Sequence, residues 1–391
     1  MQRIFAFASI MLATVAFIYL AGCKDKGNEA GGGTGEGGDI PVGVYLSLSG
    51  DNADFGITTK NGVELAIEEI NKTGGVKGKK LKPVYKDTAS KPDEAGTVAR
   101  QLVSQDKVAV AIGSVESGQS LVAAPIFQEA GVPMVSPSST NPLVTQKGDR
   151  IFRVCYLDDF QGAACAAFAF KDMKAKKAAI LAKADDPYST GLAQFFKAKF
   201  EKLGGKIVSE QDYRGKLTDF STQVSNIKPT EPEVVFVPVY YGDIGLIAKE
   251  FRKQGVSAPL LGGDGWESPQ LVKLGGTALE GCYFGYHYNP DDQDPKVQSY
   301  IKAYREKFKD EPNSLSALGY DAVYVIKAAI EKEGDSRDGI TKGLRAIKGY
   351  KGVTGTFDID ANRNARKPIS MLKIGDNKLV QVRQVMPEEV E

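Results

Sequence analysis

From residue 40 onward the chain alternates short apolar runs with amphipathic stretches. Residues 40–46 are apolar and partly β-branched, which predicts a strand. Residues 58–71 set Val63, Ala66, Ile67 and Ile70 on one face, which predicts a helix stopped by Gly74-Gly75. The same reasoning gives strands at 81–85, 108–112 and 132–136, with helices at 93–105 and, despite Pro125, at 118–129. The pattern then restarts: strands at 178–182, 206–209, 234–239 and 260–261 alternate with helices at 190–203, 220–227 and 244–254. Alternation of this kind predicts parallel sheets covered on both faces, and two such runs predict two similar α/β lobes. The last third differs. Residues 295–309 and 316–332 read as long helices, with a third candidate at 340–347. Strands are expected at 354–358, 371–374 and 379–385, with Asp376-Asn377 as the turn between the last two.

The segment ahead of this body changes where it must work. Arg3 precedes an apolar run from Ile4 to Leu20, which ends in Leu20-Ala21-Gly22-Cys23. A positive start, an apolar middle and small residues at the end are the parts of a secretory signal. The tetrapeptide resembles a bacterial lipobox, which implies cleavage before Cys23 and lipid on that cysteine. The apolar run is also nearly the ~20 residues a spanning helix needs, so a transmembrane anchor stays open. Both readings leave the body outside the cytoplasm. Residues 24–39 are rich in Gly and poor in apolar side chains, and should form a flexible tether with a reach of about 20 Å.

Composition narrows the function by exclusion. The chain has 391 residues and a formal net charge of +1, enough for two domains and without a nucleic-acid-binding surface. Besides Cys23 there are three cysteines, Cys155, Cys165 and Cys282, with no C-x-x-C spacing. A Cys155–Cys165 disulfide and three buried thiols are both open readings. The single histidine, His287, sits among aromatics and reads as a hydrogen-bonded structural residue; one histidine excludes a multi-histidine metal site and leaves no His-based hydrolysis to nominate. No P-loop, dinucleotide turn or nucleophile elbow is present, so neither catalysis nor a cofactor is expected.

Parallel sheets bind ligands at the carboxyl ends of their strands, so the segments there matter most. In the first run these are 113–120 and 136–142, rich in small hydroxyl residues beside helix N-termini, a receptor suited to a carboxylate. In the second run they are Asp185 to Ser189, Tyr240 to Asp243 and Gly262 to Trp266, which supply tyrosines and an acid. Each segment alone is also ordinary capping and turn chemistry. Together they describe a cleft for a zwitterion, with the carboxylate at the first lobe and the ammonium at Asp264.

At Leu48-Ser49-Gly50, Gly74-Gly75-Val76-Lys77-Gly78, Ser136-Pro137-Ser138-Ser139-Thr140-Asn141-Pro142, Phe152-Arg153, Gln161-Gly162 and Tyr188-Ser189-Thr190-Gly191, the chain resembles the branched-chain amino-acid-binding proteins of bacterial ABC importers. The order and spacing of the matches run from Ile40 to about Asp376. The resemblance implies the type I periplasmic binding protein fold: two doubly wound α/β lobes joined by a three-strand hinge, with crossings near Leu157, His287 and Phe357. The lobes would be 40–157 plus 288–356, and 158–287 plus 357–391. It implies that Ser117, Ser138 and Thr140 hold a ligand carboxylate, that Asp264 holds the ammonium, and that Tyr188 and Tyr240 close over the ligand. Phe55, Val115, Glu116, Trp266 and Leu315 would shape the side-chain pocket. The implied partners are an amino acid, the membrane subunits of an ABC permease, and a membrane through the lipid anchor, with the protein a monomer that binds no metal. A sensor module for an amide or small acid on the same fold is the alternative. Two positions depart from the family: the best-known members carry Glu at Asp264, and Glu116 stands where small or apolar residues are usual. A pocket-facing Glu116 would favour a polar or basic ligand, since an aliphatic one would leave its charge unpaired.

Overall fold

The computed structural model describes residues 38–376 and 378–390. The signal, Cys23 and most of the tether therefore lie outside the described residues, as does Asn377 of the expected turn. Among the described residues no helix is long and apolar enough to cross a membrane.

The first run folds as β1 (Ile40–Leu46), α1 (Ala53–Lys72), β2 (Leu81–Asp87), α2 (Pro92–Ser104), β3 (Val110–Gly113), α3 (Ser117–Glu129), β4 (Met134–Ser136) and β5 (Ile151–Arg153). Its five strands form one parallel sheet in the order β2-β1-β3-β4-β5. Near-continuous burial along β1 and β3 is what a sheet covered on both faces requires.

The second run begins with α4 (Asp158–Ala167), then β6 (Lys177–Lys183), α5 (Pro187–Lys202), β7 (Lys206–Tyr213) and α6 (Ser221–Ile227). It continues through β8 (Val234–Phe236), α7 (Tyr241–Lys253), β9 (Leu260–Gly262), α8 (Leu271–Gly275) and β10 (Tyr283–Tyr286). The strands pair in the order β7-β6-β8-β9-β10, all parallel, which repeats the winding of the first sheet. Then come α9 (Pro295–Phe308), α10 (Ser314–Glu333), α11 (Arg337–Arg345), a small hairpin of β11 (Tyr350–Gly352) and β12 (Gly355–Phe357), β13 (Ile369–Gly375) and β14 (Lys378–Val385). The last two extend the second sheet as an antiparallel edge.

The chain thus crosses from the first sheet to the second after β5, leaves it after β10, and returns after β12. Helices α9 and α10 go back to the first lobe. Tyr320 and Tyr324 of α10 both donate to Glu69 of α1, at 2.6 and 2.9 Å, and Lys307 of α9 pairs with Glu64 and Glu68.

Several elements differ from the sequence expectation. Helix α1 starts at Ala53 rather than 58, because its first turn buries Phe55 and Gly56 and shows no apolar period of its own. Helix α4 was not anticipated: its Ala-rich run is buried on more than one face, which erases the 3.6-residue signal, and it continues into a π-helical turn over Phe168–Asp172. Strands β5 and β10 have only three and four residues, too short for a pattern. The strand expected at 354–358 pairs with β11 instead of joining a main sheet. The three cysteines of the body are free and buried, so no Cys155–Cys165 disulfide forms. Cys155 donates to the Ser139 carbonyl and Cys165 to the Gly262 carbonyl.

Helices α1 and α10 approach through small residues. A Cβ on Gly62 would overlap the Ser316 carbonyl, and one on Gly319 would crowd the Thr59 carbonyl. Gly62→Val is expected to destabilise the protein by about 1–3 kcal/mol, the usual cost of overpacking, read as a lowered urea midpoint at unchanged slope.

Candidate functional site

Both sheets place their switch points, between β1 and β3 and between β6 and β8, on one shared cleft. The loops that leave β3, β4, β8 and β9 at their carboxyl ends line it, as this winding dictates. Ser117 opens α3, and its Oγ accepts from the Asn141 backbone N–H at 3.2 Å. Ser138 and Thr140 follow β4 and are both buried. The loop that carries them is held from beneath. Ser136 and Ser139 hydroxyls donate to the Ser114 carbonyl at 2.9 Å each. The buried Arg153 guanidinium donates to the Ser139 carbonyl and, at 2.8 Å, to that of Asn141. Arg153 therefore fixes the loop and keeps its charge on backbone oxygens.

The second lobe supplies the acid and the rings. Asp186 caps α5, accepting from the Tyr188 N–H at 3.0 Å, and Pro187 sets the first turn. Tyr188 then donates to Asp264 Oδ1 at 3.0 Å and accepts from the Gly265 N–H at 2.9 Å. Asp264 lies in a 3₁₀ turn, Asp264–Trp266, directly after β9. Gln161 of α4 donates to Asp264 Oδ1 at 3.0 Å and accepts the Asp264 N–H at 2.7 Å. His287 Nε2 lies 2.9 Å from Oδ2. The Tyr240 ring stacks on Tyr188 at 5.1 Å and meets Phe55 edge-on at 5.5 Å.

These residues converge. One cavity, with about 10 Å³ open to the centre of a water molecule, is lined by Phe55, Val115, Ser117, Ser138, Thr140, Tyr188, Tyr240, Asp264, Gly265 and Leu315. Its two walls belong to different lobes, and the lobes touch around it. Asn141 Nδ2 donates to the Pro187 carbonyl at 2.8 Å, Ser268 to Asp54 at 2.8 Å, and Lys216 pairs with Asp51 at 2.6 Å. A roomier cavity of about 300 Å³ sits at the crossovers, lined by Tyr156, Phe160, Arg366 and Val390 among others, and none of the sequence-expected residues reaches it.

A model of the family described as periplasmic binding protein matches residues 39–378. The chain belongs to the periplasmic binding protein family. A relative from Brucella melitensis, described as a Leu/Ile/Val-binding protein homolog, is 33% identical over 88% of this chain and 93% of its own length. The crystal structure of a leucine-binding protein from Thermotoga maritima superposes with a TM-score of 0.85 at 35% identity, covering 90% of this chain and 99% of that one. The substrate-binding protein of a branched-chain amino acid transporter from Streptococcus pneumoniae, solved with isoleucine, gives 0.84 at 30% identity over 89% and 99%. The chain thus has the type I binding-protein fold with two α/β lobes, and the family works outside the cytoplasm.

Two expected pocket residues of this binding protein lie elsewhere. Trp266 is fully buried, donates its indole N–H to the Val237 carbonyl at 2.9 Å and packs near Phe284. The 3₁₀ turn that aims Asp264 at the cavity aims Trp266, two residues on, into the core over the bare Cα of Gly262. Glu116 is buried beside the cavity without lining it. Its carboxylate turns to Ser47 Oγ at 2.6 Å, Gln119 Nε2 at 3.0 Å and Ser114 Oγ at 3.3 Å. Sequence reasoning also missed residues that matter. Gln161 and Arg153 show in the sequence only as members of matching pairs; His287 is the hydrogen-bonded residue the sequence predicts, and its partner, Asp264, is visible only in the fold.

Burial shifts the titration of several groups around the cleft. It pushes Asp158 well above the usual carboxylate range, helped by the nearby Asp264, and raises Asp186 to about 7. Burial lowers His287, opposed by its bond to Asp264. Glu116 is raised by burial, opposed by its bond from Ser47. An acid raised in the folded state binds its proton more readily folded than unfolded, so it costs stability at neutral pH and ceases to do so below its unfolded value. Glu116→Gln, which keeps the shape, is expected to melt above the wild type at pH 7.5. The gain should shrink as the pH falls toward 4.5, as read by thermal melts across pH.

Proposed function

We propose that the protein captures an amino acid with an aliphatic side chain, of the leucine, isoleucine and valine class, and presents it to an ABC permease. The observation that carries this reading is the single cavity whose walls combine the Ser117, Ser138 and Thr140 hydroxyls, the Asp264 carboxylate, and the apolar Phe55, Val115 and Leu315. Hydroxyls and the free N–H groups of α3 suit a carboxylate. A buried aspartate suits an ammonium. The apolar end has no polar group to leave unpaired by a hydrocarbon chain, and Glu116 is already engaged away from it. The isoleucine complex of the Streptococcus pneumoniae relative supports the same class.

Capture works by closure. The lobes, taken as 40–157 plus 288–356 and 158–287 plus 357–391, hinge at crossings near Leu157, His287 and Phe357. A ligand drives closure only through contacts it makes in the closed form, so the residues that meet it from the second lobe, Asp264, Tyr188 and Tyr240, carry the bias. Cys23 carries lipid and tethers the body to the outer side of the membrane, which keeps encounters with the permease local.

Calorimetry on the body from residue 39 should find a tight heat of binding with L-leucine, L-isoleucine or L-valine, and none with benzoate, which lacks an ammonium. Asp264→Ala should weaken that binding by at least about 1–3 kcal/mol, the cost of orphaning a charged partner. Wild-type affinity in the variant, or tight binding of benzoate, would overturn the ammonium role. Cys23→Ser in the full chain should move the protein from the membrane to the soluble fraction; continued membrane association would favour a spanning anchor.

A further inference from the structure

We propose that His287 is the positioning residue for Asp264: it donates a neutral Nε2–H to the carboxylate and thereby makes ligand capture depend on pH. The inference rests on the amino-acid reading above and extends it to a residue that does not line the cavity.

The geometry assigns the tautomer. His287 Nε2 lies 2.9 Å from Asp264 Oδ2, and an ionised carboxylate only accepts, so Nε2 carries the hydrogen. The other ring nitrogen, Nδ1, is buried and has no partner. In the neutral ring Nδ1 is an unpaired acceptor. In the imidazolium it would be an orphaned donor, the costlier state for a buried group. The ring has little freedom to find another arrangement, because it stacks on Tyr156 at 3.7 Å between centroids. Its side chain is fully buried.

The charged groups that act on the ring are Asp264, from the turn after β9, and Lys367, ahead of β13; Cys155, Cys165 and Glu267 stand around the Tyr156 ring stacked on it, and Asp158 of α4 stands near Asp264. Among the described residues Asp264 is the one carboxylate bonded to the ring, and Lys367 opposes a second positive charge there. His287 follows β10, where the chain leaves the second sheet, and Tyr156 follows β5, where it leaves the first. The two crossings therefore meet face to face directly behind Asp264. Gln161 and Tyr188 hold Oδ1, and His287 holds Oδ2, which leaves the carboxylate one direction to offer: the cavity.

The functional consequence has a definite sign. A bound ammonium next to Asp264 further disfavours a positive His287. Binding and protonation of the ring therefore oppose one another, and affinity falls as the pH drops through the ring's own titration, by at most about tenfold per pH unit for one linked proton.

The test uses the body from residue 39 with L-leucine as the probe. Calorimetry from pH 8 to 4.5 is run on the wild type, on His287→Gln, which keeps a neutral donor and cannot take a proton, and on His287→Leu, which has no donor. The expected result is a loss of affinity in acid for the wild type that is shallower in H287Q, with H287Q within about threefold of the wild type at pH 8 and H287L at least tenfold weaker. Coincident pH profiles for the wild type and H287Q, or wild-type affinity in H287L, overturn the proposal. Nitrogen NMR of the sole histidine decides it independently of whether any variant folds. An Nε2–H tautomer in the ligand-free protein, with titration moved to lower pH by L-leucine, supports it; an Nδ1–H tautomer overturns it. If L-leucine does not bind, the functional reading is what has failed, and the tautomer of the ligand-free protein still decides the arrangement at Asp264.

Discussion

A carboxylate held in a buried cleft must be solvated by the protein, and the arrangement around Asp264 follows from that requirement. Removing an ion from water costs several kcal/mol unless fixed donors replace the hydration shell. Here the donors come from three places far apart in sequence: Gln161 on α4, Tyr188 on the first turn of α5, and His287 beyond β10. Each is itself anchored. Gln161 is tied back to the Asp264 backbone, Tyr188 to that of Gly265, and His287 to the Tyr156 ring. The acid is thus held in one orientation before any ligand arrives, which lowers the ordering cost of binding.

The fold makes this convergence possible by using one winding twice. The five parallel strands of each sheet run in the relative order 2-1-3-4-5, so each sheet has its switch point in the same relative place. Crossing the chain between them sets the two switch points facing. The hydroxyl loops then oppose the acid and the rings without any long excursion of the backbone. The return of α9 and α10 to pack on α1 closes the core of the first lobe with residues from the far end of the chain. Removal of the C-terminal third would therefore strip both lobes.

The alternation of strands and helices was legible because each element that builds a sheet keeps a pattern of its own. So were the segments that carry Ser117, Ser138, Thr140, Tyr188, Tyr240 and Asp264, because they follow apolar strands; the resemblance to the family singled out those residues within them, together with Phe55, Val115 and Leu315, and all nine line one cavity. What failed had a physical reason. Trp266 was expected at the pocket since it neighbours Asp264, but a 3₁₀ turn separates residues two apart by a large angle. The direction of Glu116 depends on Ser47 and Gln119, neither of which advertises a contact with it in sequence. Arg153, Gln161 and His287 act through tertiary bonds alone. Helix α4 was hidden by burial on several faces.

The charge pattern of the cleft argues for a zwitterion over a simple anion. Of the cations near it, Arg153 is spent on the Ser139 and Asn141 carbonyls, and Lys183 faces Asp243 at 3.4 Å. No positive side chain lines the cavity. A ligand carboxylate would have to rely on three hydroxyls and the N-terminal N–H groups of α3, which amount to roughly half a charge. Opposite them stands the Asp264 carboxylate, with no cationic side chain beside it in the cavity. An anion without its own cation would bring a second charge into that field and find no counterpart. A ligand that carries both charges places each against its complement and leaves the cleft's net charge unchanged, so the discrimination lies in the acid as much as in the hydroxyls.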